Sequence, residues 1–183
     1  MNKIGTKTIE TQRVILRRFK AEDAQDMFDN WAFDPEVTKY LTWATHTSVE
    51  TTKALVSDWV SKYEDGGYFN WAIELKETGS VIGNISVVHL NENTEAADMG
   101  YCMGKAFWGK GIMPEVLKAV MDYLFDEVGL NRIAACHDAN NPKSGRVMDK
   151  VGMKQEGILR AAGKNNCGIC DEVWHSMIRA DRT

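Results

Sequence analysis

Apolar residues return at helical spacing most clearly between positions 113 and 128. Met113, Val116, Leu117, Val120, Met121, Leu124, Phe125 and Val128 share one face. Pro114 suits the first turn of that helix and Gly129 its stop. Earlier in the chain, Glu10 to Phe19 alternates Val14 and Leu16 against Ile15 and Arg17, the period of a strand. Ala21 to Ala32 carries Ala24, Met27, Phe28 and Trp31 on one helical face, and Asp34-Pro35 reads as a break. Thr47 and Glu50 have capping-box spacing, which opens a helix from Ser48 to Tyr63 with Leu55, Val56, Trp59 and Val60 inside.

Phe69 to Leu75, Val81 to Leu90 and Ala97 to Met103 read as strands with short polar connections, so they are antiparallel neighbours. After the long helix come a strand at Arg132 to His137 and a helix capped by Asn141 that ends near Gly152. The last two strands, Met153 to Arg160 and Val173 to Arg179, are joined by a loop holding Cys167 and Cys170. This order predicts an α+β three-layer fold: a mixed, mostly antiparallel sheet of about seven strands flanked by about four helices.

The chain has 183 residues, the size of one domain, and its 3 prolines mark no linker. A net charge of -4 argues against a general nucleic-acid binder but suits a cationic acceptor. No apolar run is long enough to cross a membrane and the N-terminus lacks a signal-peptide core, so a cytoplasmic protein is expected. Cys167 and Cys170 form a lone C-x-x-C with no second ligand pair, so reduced thiols and no metal are expected.

Candidate chemistry concentrates in Gly104-Lys105-Ala106-Phe107-Trp108-Gly109-Lys110-Gly111-Ile112-Met113, entered by a strand and left by the long helix. Gly109 and Gly111 let bare backbone N–H groups approach an anion. The helix start adds unpaired donors and a positive dipole end. Gly104, Gly109 and Lys110 match the start of a nucleotide-binding P-loop, but Gly111 stands where the magnesium-holding Ser or Thr belongs. A dinucleotide fingerprint lacks its third glycine, replaced by Pro114, and lacks parallel strands. A purely structural glycine turn remains open on these residues alone.

The same segment resembles the acetyl-CoA motif of the GNAT superfamily, Q/R-x-x-G-x-G/A, in its RimJ/RimL-type branch. Trp108-x-x-Gly111-x-Met113 keeps the core glycine and departs at both ends. Thr11 to Phe19 resembles that branch's opening T-x-R-L-x-L-R. Asn141 to Met153 resembles N-x-x-S-x-x-V-x-x-K-x-G-F/M, and Glu156 to Arg160 resembles E-G-x-L-R. The motifs occur in the branch's order and span nearly the whole chain.

The resemblance implies a single N-acetyltransferase domain over residues 1–183, in which a neutral amine attacks the thioester of acetyl-CoA directly. It implies that the strand Asp98 to Met103, the sheet's fourth, splays from Ile133 to His137, its fifth. Pantetheine would pair with the exposed edge through the N–H groups of Cys102 and Met103. The pyrophosphate would lie on Trp108, Gly109, Lys110, Gly111, Ile112 and Met113. Asn141 would hold the pantetheine amide or the helix start. Ser144 would donate a proton to the departing thiolate, or serve only the helix. Asp98 is the leading general base, with Glu74 and His137 behind it. Trp31 to Thr47, with Tyr40 and Trp43, would wall the acceptor pocket. The acceptor is open between a protein N-terminus and a small-molecule amine, and a homodimer is left open. The alternative on the same fold is a non-catalytic acyl-CoA-binding sensor.

Overall fold

The structure is a computed structural model that describes residues 1–182. Its strands are β1 (Ile9–Glu10), β2 (Val14–Arg17), β3 (Asn70–Leu75), β4 (Val81–Asn91), β5 (Ala96–Met103), β6 (Arg132–Asp138), β7 (Lys154–Asn165) and β8 (Gly168–Ile178). Its helices are α1 (Asp23–Met27), α2 (Pro35–Thr38), α3 (Val49–Ser61), α4 (Ile112–Tyr123) and α5 (Pro142–Lys150). The eight strands form one sheet in the order β1-β2-β3-β4-β5-β6-β8-β7. Among the described residues only the β5–β6 pair is parallel, and α4 is the crossover that a parallel pair requires. No helix among the described residues is long and apolar enough to cross a membrane.

A core lies on each face of the sheet. On one face the α4 stripe closes over β5 and β6: Val116, Leu117, Val120 and Leu124 are fully buried against Ala97, Met99, Ile133 and Ala135. Each such side chain contributes roughly 1.5–3 kcal/mol of burial. The helix ends in a π-helical turn, Leu124–Val128, and Gly129 at φ +86° stops it. On the other face Phe19, from the segment before α1, joins Ala24, Met27, Trp31 and Val56 of α1, its π-helical continuation (Phe28–Ala32) and α3 in packing against Ala72 and Val81.

Several expectations shift. The opening strand divides, because Ile9–Glu10 folds back antiparallel on Leu16 and Ile15. Asp34-Pro35 starts a helix rather than breaking one: the Asp34 carboxylate accepts from the Glu36 N–H at 2.8 Å. Ser48, not Thr47, caps α3 through the Thr51 N–H. The final strands are longer than expected, and Cys170 lies on β8 rather than in a loop.

Glu156, from the E-G-x-L-R segment, has a structural job. Arg132 grips both its carboxylate oxygens, at 2.8 and 2.6 Å, and Ser176 Oγ donates at 2.7 Å. Hydrogen bonding from Arg132 and then Ser176 pulls its pKa down to about 2. A depressed carboxylate contributes stability that is fully present above its unfolded pKa of about 4.3 and is lost as pH falls toward the folded value. Thermal melts should therefore separate wild type from Glu156→Gln most above that unfolded pKa. The difference should close toward pH 2, and a constant offset would refute the linkage.

Candidate active site

β5 and β6 pair from Ala96↔Arg132 to Met99↔Ala135 and then part, although β5 runs on to Met103 and β6 to Asp138. The second half of β5 thus has one edge on β4 and one edge open. The Gly104 N–H donates to the Ile82 carbonyl at 2.8 Å. Alternation along the strand then turns the Cys102 N–H toward β4 and the backbone groups of Tyr101 and Met103 into the gap. The expected pair of donors, Cys102 and Met103, becomes Tyr101 and Met103. The Met103 carbonyl is already capped by Trp108 Nε1 at 2.7 Å.

At the foot of the gap the chain makes a 3₁₀ turn (Lys105–Phe107) and enters α4. Gly109 and Gly111 both sit at φ +74°, where a side chain is strained. None of the N–H groups of Gly109, Lys110 and Gly111 donates to a protein acceptor among the described residues. Ile112 and Met113, in the first turn of α4, have no intrahelical acceptor. Five N–H donors therefore gather at the positive end of α4, and nothing lies within 4 Å of a Cβ built at Gly109. That cradle suits a pyrophosphate. Trp108 differs from the expectation, since its own N–H is spent on the Lys105 carbonyl at 3.2 Å. It shapes the turn and offers only its ring, on which Lys143 Nζ rests at 5.2 Å from the centroid. Lys105 is paired with Glu36.

Ser144 lies in the first turn of α5, held by a residue that sequence reasoning passed over. Tyr101 Oη is 3.0 Å from both the Ser144 carbonyl and Ser144 Oγ. Burial raises the Tyr101 phenol well above its ordinary range, so it stays protonated. Asn141 occupies the cap position of α5, yet its side chain makes no capping bond, which leaves the amide available to a ligand.

Tyr101, like Met99 and Met103, faces the α4 core. Asp98, Gly100 and Cys102 face the other side of the sheet. Asp98 and Ser144 therefore stand on opposite sides of the sheet near the gap. Burial raises the Asp98 pKa, with His89 and Arg132 pulling it partly back. The other base candidates are committed elsewhere. Glu74 Oε2 is bound by Arg17 Nε at 2.5 Å. His137 packs against Gly145 of α5, with its Nδ1 at 2.8 Å from the Asp138 carbonyl.

On the Asp98 side of the gap the wall is β6 and β8. Cys136 pairs across from Trp174 and Asp138 from Glu172. Trp174 Nε1 donates to Glu172 Oε2 at 3.0 Å. The β7–β8 hairpin reaches over to the end of α2 and the segment after it: the Asn166 amide donates at 2.8 Å to the carbonyls of both Thr38 and Trp43. Thus the Trp43 backbone is tied to the hairpin, whereas Trp31 is fully buried in the core and the Trp59 ring packs tilted against Phe19, their centroids 5.0 Å apart. Glu172, Trp174 and Asn166 carried no motif, and only the strand pairing brings them here. The four cysteines are unbonded thiols. Burial pushes Cys102 up to about 12, and burial with the nearby carboxylates of Glu172 and Asp98 does the same for Cys136. Neither is a thiolate at neutral pH, so neither is poised as a nucleophile. No group of three or more His, Cys, Asp or Glu among the described residues is arranged to hold a metal ion.

Residues 13–154 match the family model described as the acetyltransferase (GNAT) domain. The chain is 30% identical to an uncharacterised N-acetyltransferase of Bacillus licheniformis, over 95% of this chain and 97% of the relative. It is 28% identical to the [ribosomal protein uS5]-alanine N-acetyltransferase of Escherichia coli (strain K12), over 54% of this chain and 51% of that one. Among solved structures, Mycobacterium smegmatis RimJ in complex with CoA-disulfide superposes with a TM-score of 0.86 at 21% identity, covering 96% and 89% of the two chains.

Proposed function

The chain belongs to the GNAT family of acetyl-CoA-dependent acetyltransferases, on its RimJ/RimL-like side, and from that premise we propose that its acceptor is a primary amine that attacks the thioester directly. The observation that carries the reading is the cradle of five N–H donors, Gly109 to Met113, at the foot of an open strand edge. In this reading the cradle takes the pyrophosphate of acetyl-CoA and the free edge at Tyr101 and Met103 takes the pantetheine. One of those two N–H groups polarises the thioester carbonyl. The amine comes from the Asp98 side, a protein N-terminus or a small molecule bounded by Trp43, Cys136, Trp174 and Glu172. Asp98, one residue short of the last β5–β6 pair, accepts the ammonium proton through water. Ser144, on the opposite side, meets the departing thiolate. The free thiols fit a reducing, cytoplasmic setting.

The test is release of free thiol from acetyl-CoA against a panel of peptides and small amines, metal-free and with chelator. Turnover with at least one amine is expected. Tight CoA binding without turnover on any amine would sink the transferase reading in favour of a sensor. A base works only when deprotonated, so kcat/KM should fall as pH drops through the raised Asp98 pKa. Asp98→Asn should lower kcat/KM roughly 10²-fold and erase that acid limb, leaving the limb of the amine itself. An unchanged profile would remove Asp98 from the mechanism.

A further inference from the structure

The opening T-x-R segment lies far from the α4 cradle in sequence and touches it in space. Arg13 stands in the turn between β1 and β2. Its backbone N–H donates to Glu115 Oε1 at 3.0 Å and its Nε to Glu115 Oε2 at 2.7 Å. Glu115 belongs to the first turn of α4. Arg13 Nη1 then donates to the Lys110 carbonyl at 2.7 Å. Nη2 has no protein acceptor among the hydrogen bonds of the described residues and would lie 3.7 Å from a Cβ on Gly111.

The Lys110 carbonyl and the Gly111 N–H belong to one peptide plane, and in a trans peptide they point in opposite directions. Drawing the carbonyl toward Arg13 therefore aims the Gly111 N–H away from Arg13. Among the described residues nothing else bonds to that peptide. Lys110 is flanked by two glycines at φ +74°, whose freedom would let the peptide rotate. Glu115 holds the Arg13 backbone N–H with one carboxylate oxygen and the guanidinium Nε with the other, so the direction of Nη1 is set from α4 itself.

We propose that Arg13 is a positioning residue for the phosphate end of acetyl-CoA, which locks the Lys110–Gly111 peptide so that the cradle's donors converge. The proposal rests on the reading that this cradle binds the pyrophosphate. Arg13 touches neither the thioester nor the amine, so its loss should act on cofactor affinity and not on chemistry.

Two acetyl donors separate this role from a general structural one: acetyl-CoA, and S-acetylpantetheine, which lacks the phosphates. Arg13→Gln should raise KM for acetyl-CoA about 10-fold or more while kcat at saturation stays within about twofold. Its kcat/KM for S-acetylpantetheine should be unchanged. Arg13→Lys keeps the charge but cannot supply the Nε and Nη1 bonds together, so it should not rescue. Glu115→Gln, which loosens the guanidinium, should move KM in the same direction by less, and it carries the test if Arg13→Gln fails to fold. An unchanged KM for acetyl-CoA, an equal loss with both donors, or full rescue by lysine would each overturn the proposal. A wild-type protein that binds no CoA would overturn the proposed function along with it. Wild-type CoA binding that is indifferent to Arg13 overturns this inference alone.

Discussion

Gly111→Asp is expected to abolish CoA binding in calorimetry while the protein remains folded. Two effects act together. The residue sits at φ +74°, a left-handed conformation that costs a non-glycine residue roughly 1–2 kcal/mol. That is tolerable in a turn whose substituent would meet only Arg13 Nη2, at 3.7 Å. The larger effect is electrostatic. A carboxylate about 6 Å from a phosphate charge repels it by roughly 3 kcal/mol at an effective dielectric of ~20, and a pyrophosphate carries more than one such charge. The new carboxylate can also draw Arg13 away from the Lys110 carbonyl. Affinity should fall by at least about 10²-fold, since each 1.4 kcal/mol is tenfold. Circular dichroism should show an unchanged fold. A folded variant with wild-type affinity would show that the glycine turn is only structural.

The parts of this molecule legible in the sequence are those where burial is one-sided and local. The α4 stripe reads directly because one helical face is buried from Met113 to Val128. The glycine turn reads because φ > 0 and close ligand approach demand a residue without a side chain. The two strands of the β7–β8 hairpin read, but their extension past Arg160 and back to Gly168 does not, because most of β7 is exposed on both faces and so has no period-2 pattern. β1 has only two residues, and α2 has four, the first of them a proline that served equally well as a break signal.

The site was harder to read than the fold, for a geometric reason. Which β5 residues face the gap depends on strand register, and a shift of one residue exchanges Cys102 for Tyr101. Asp98 and Ser144 could be picked by motif position, but their placement on opposite sides of the sheet is a property of the pairing. The Arg13–Glu115 bonds join residues 102 apart, and Asn166 reaches Thr38 across 128. Such contacts leave no local periodicity to find. Trp108 shows the converse: its place in the motif was evident, yet its indole N–H caps the Met103 carbonyl instead of facing a ligand.

Ser144→Ala is expected to lower turnover by roughly 10²-fold or more, with little change in CoA affinity. The reason is differential: a hydroxyl near the sulfur interacts weakly with the neutral thioester and strongly as negative charge develops on the leaving thiolate, so its loss appears in kcat rather than binding. Tyr101 sets the geometry. Its single proton can go to the Ser144 carbonyl, with Ser144 Oγ then donating to the phenol oxygen, or to Oγ, which frees the serine proton. The two arrangements differ only by rotation of hydrogens, so Ser144 can turn its proton to sulfur when charge appears there. Tyr101→Phe should keep the buried ring and lose this guidance, giving a smaller fall in kcat than Ser144→Ala. If Ser144 instead serves only the first turn of α5, Ser144→Ala should lower the melting temperature and leave turnover intact. Turnover, CoA affinity and melting temperature measured on one preparation distinguish these outcomes. Near-normal turnover would exclude Ser144 as the donor and leave the already protonated Tyr101 hydroxyl, 3.0 Å away, as the next group to remove.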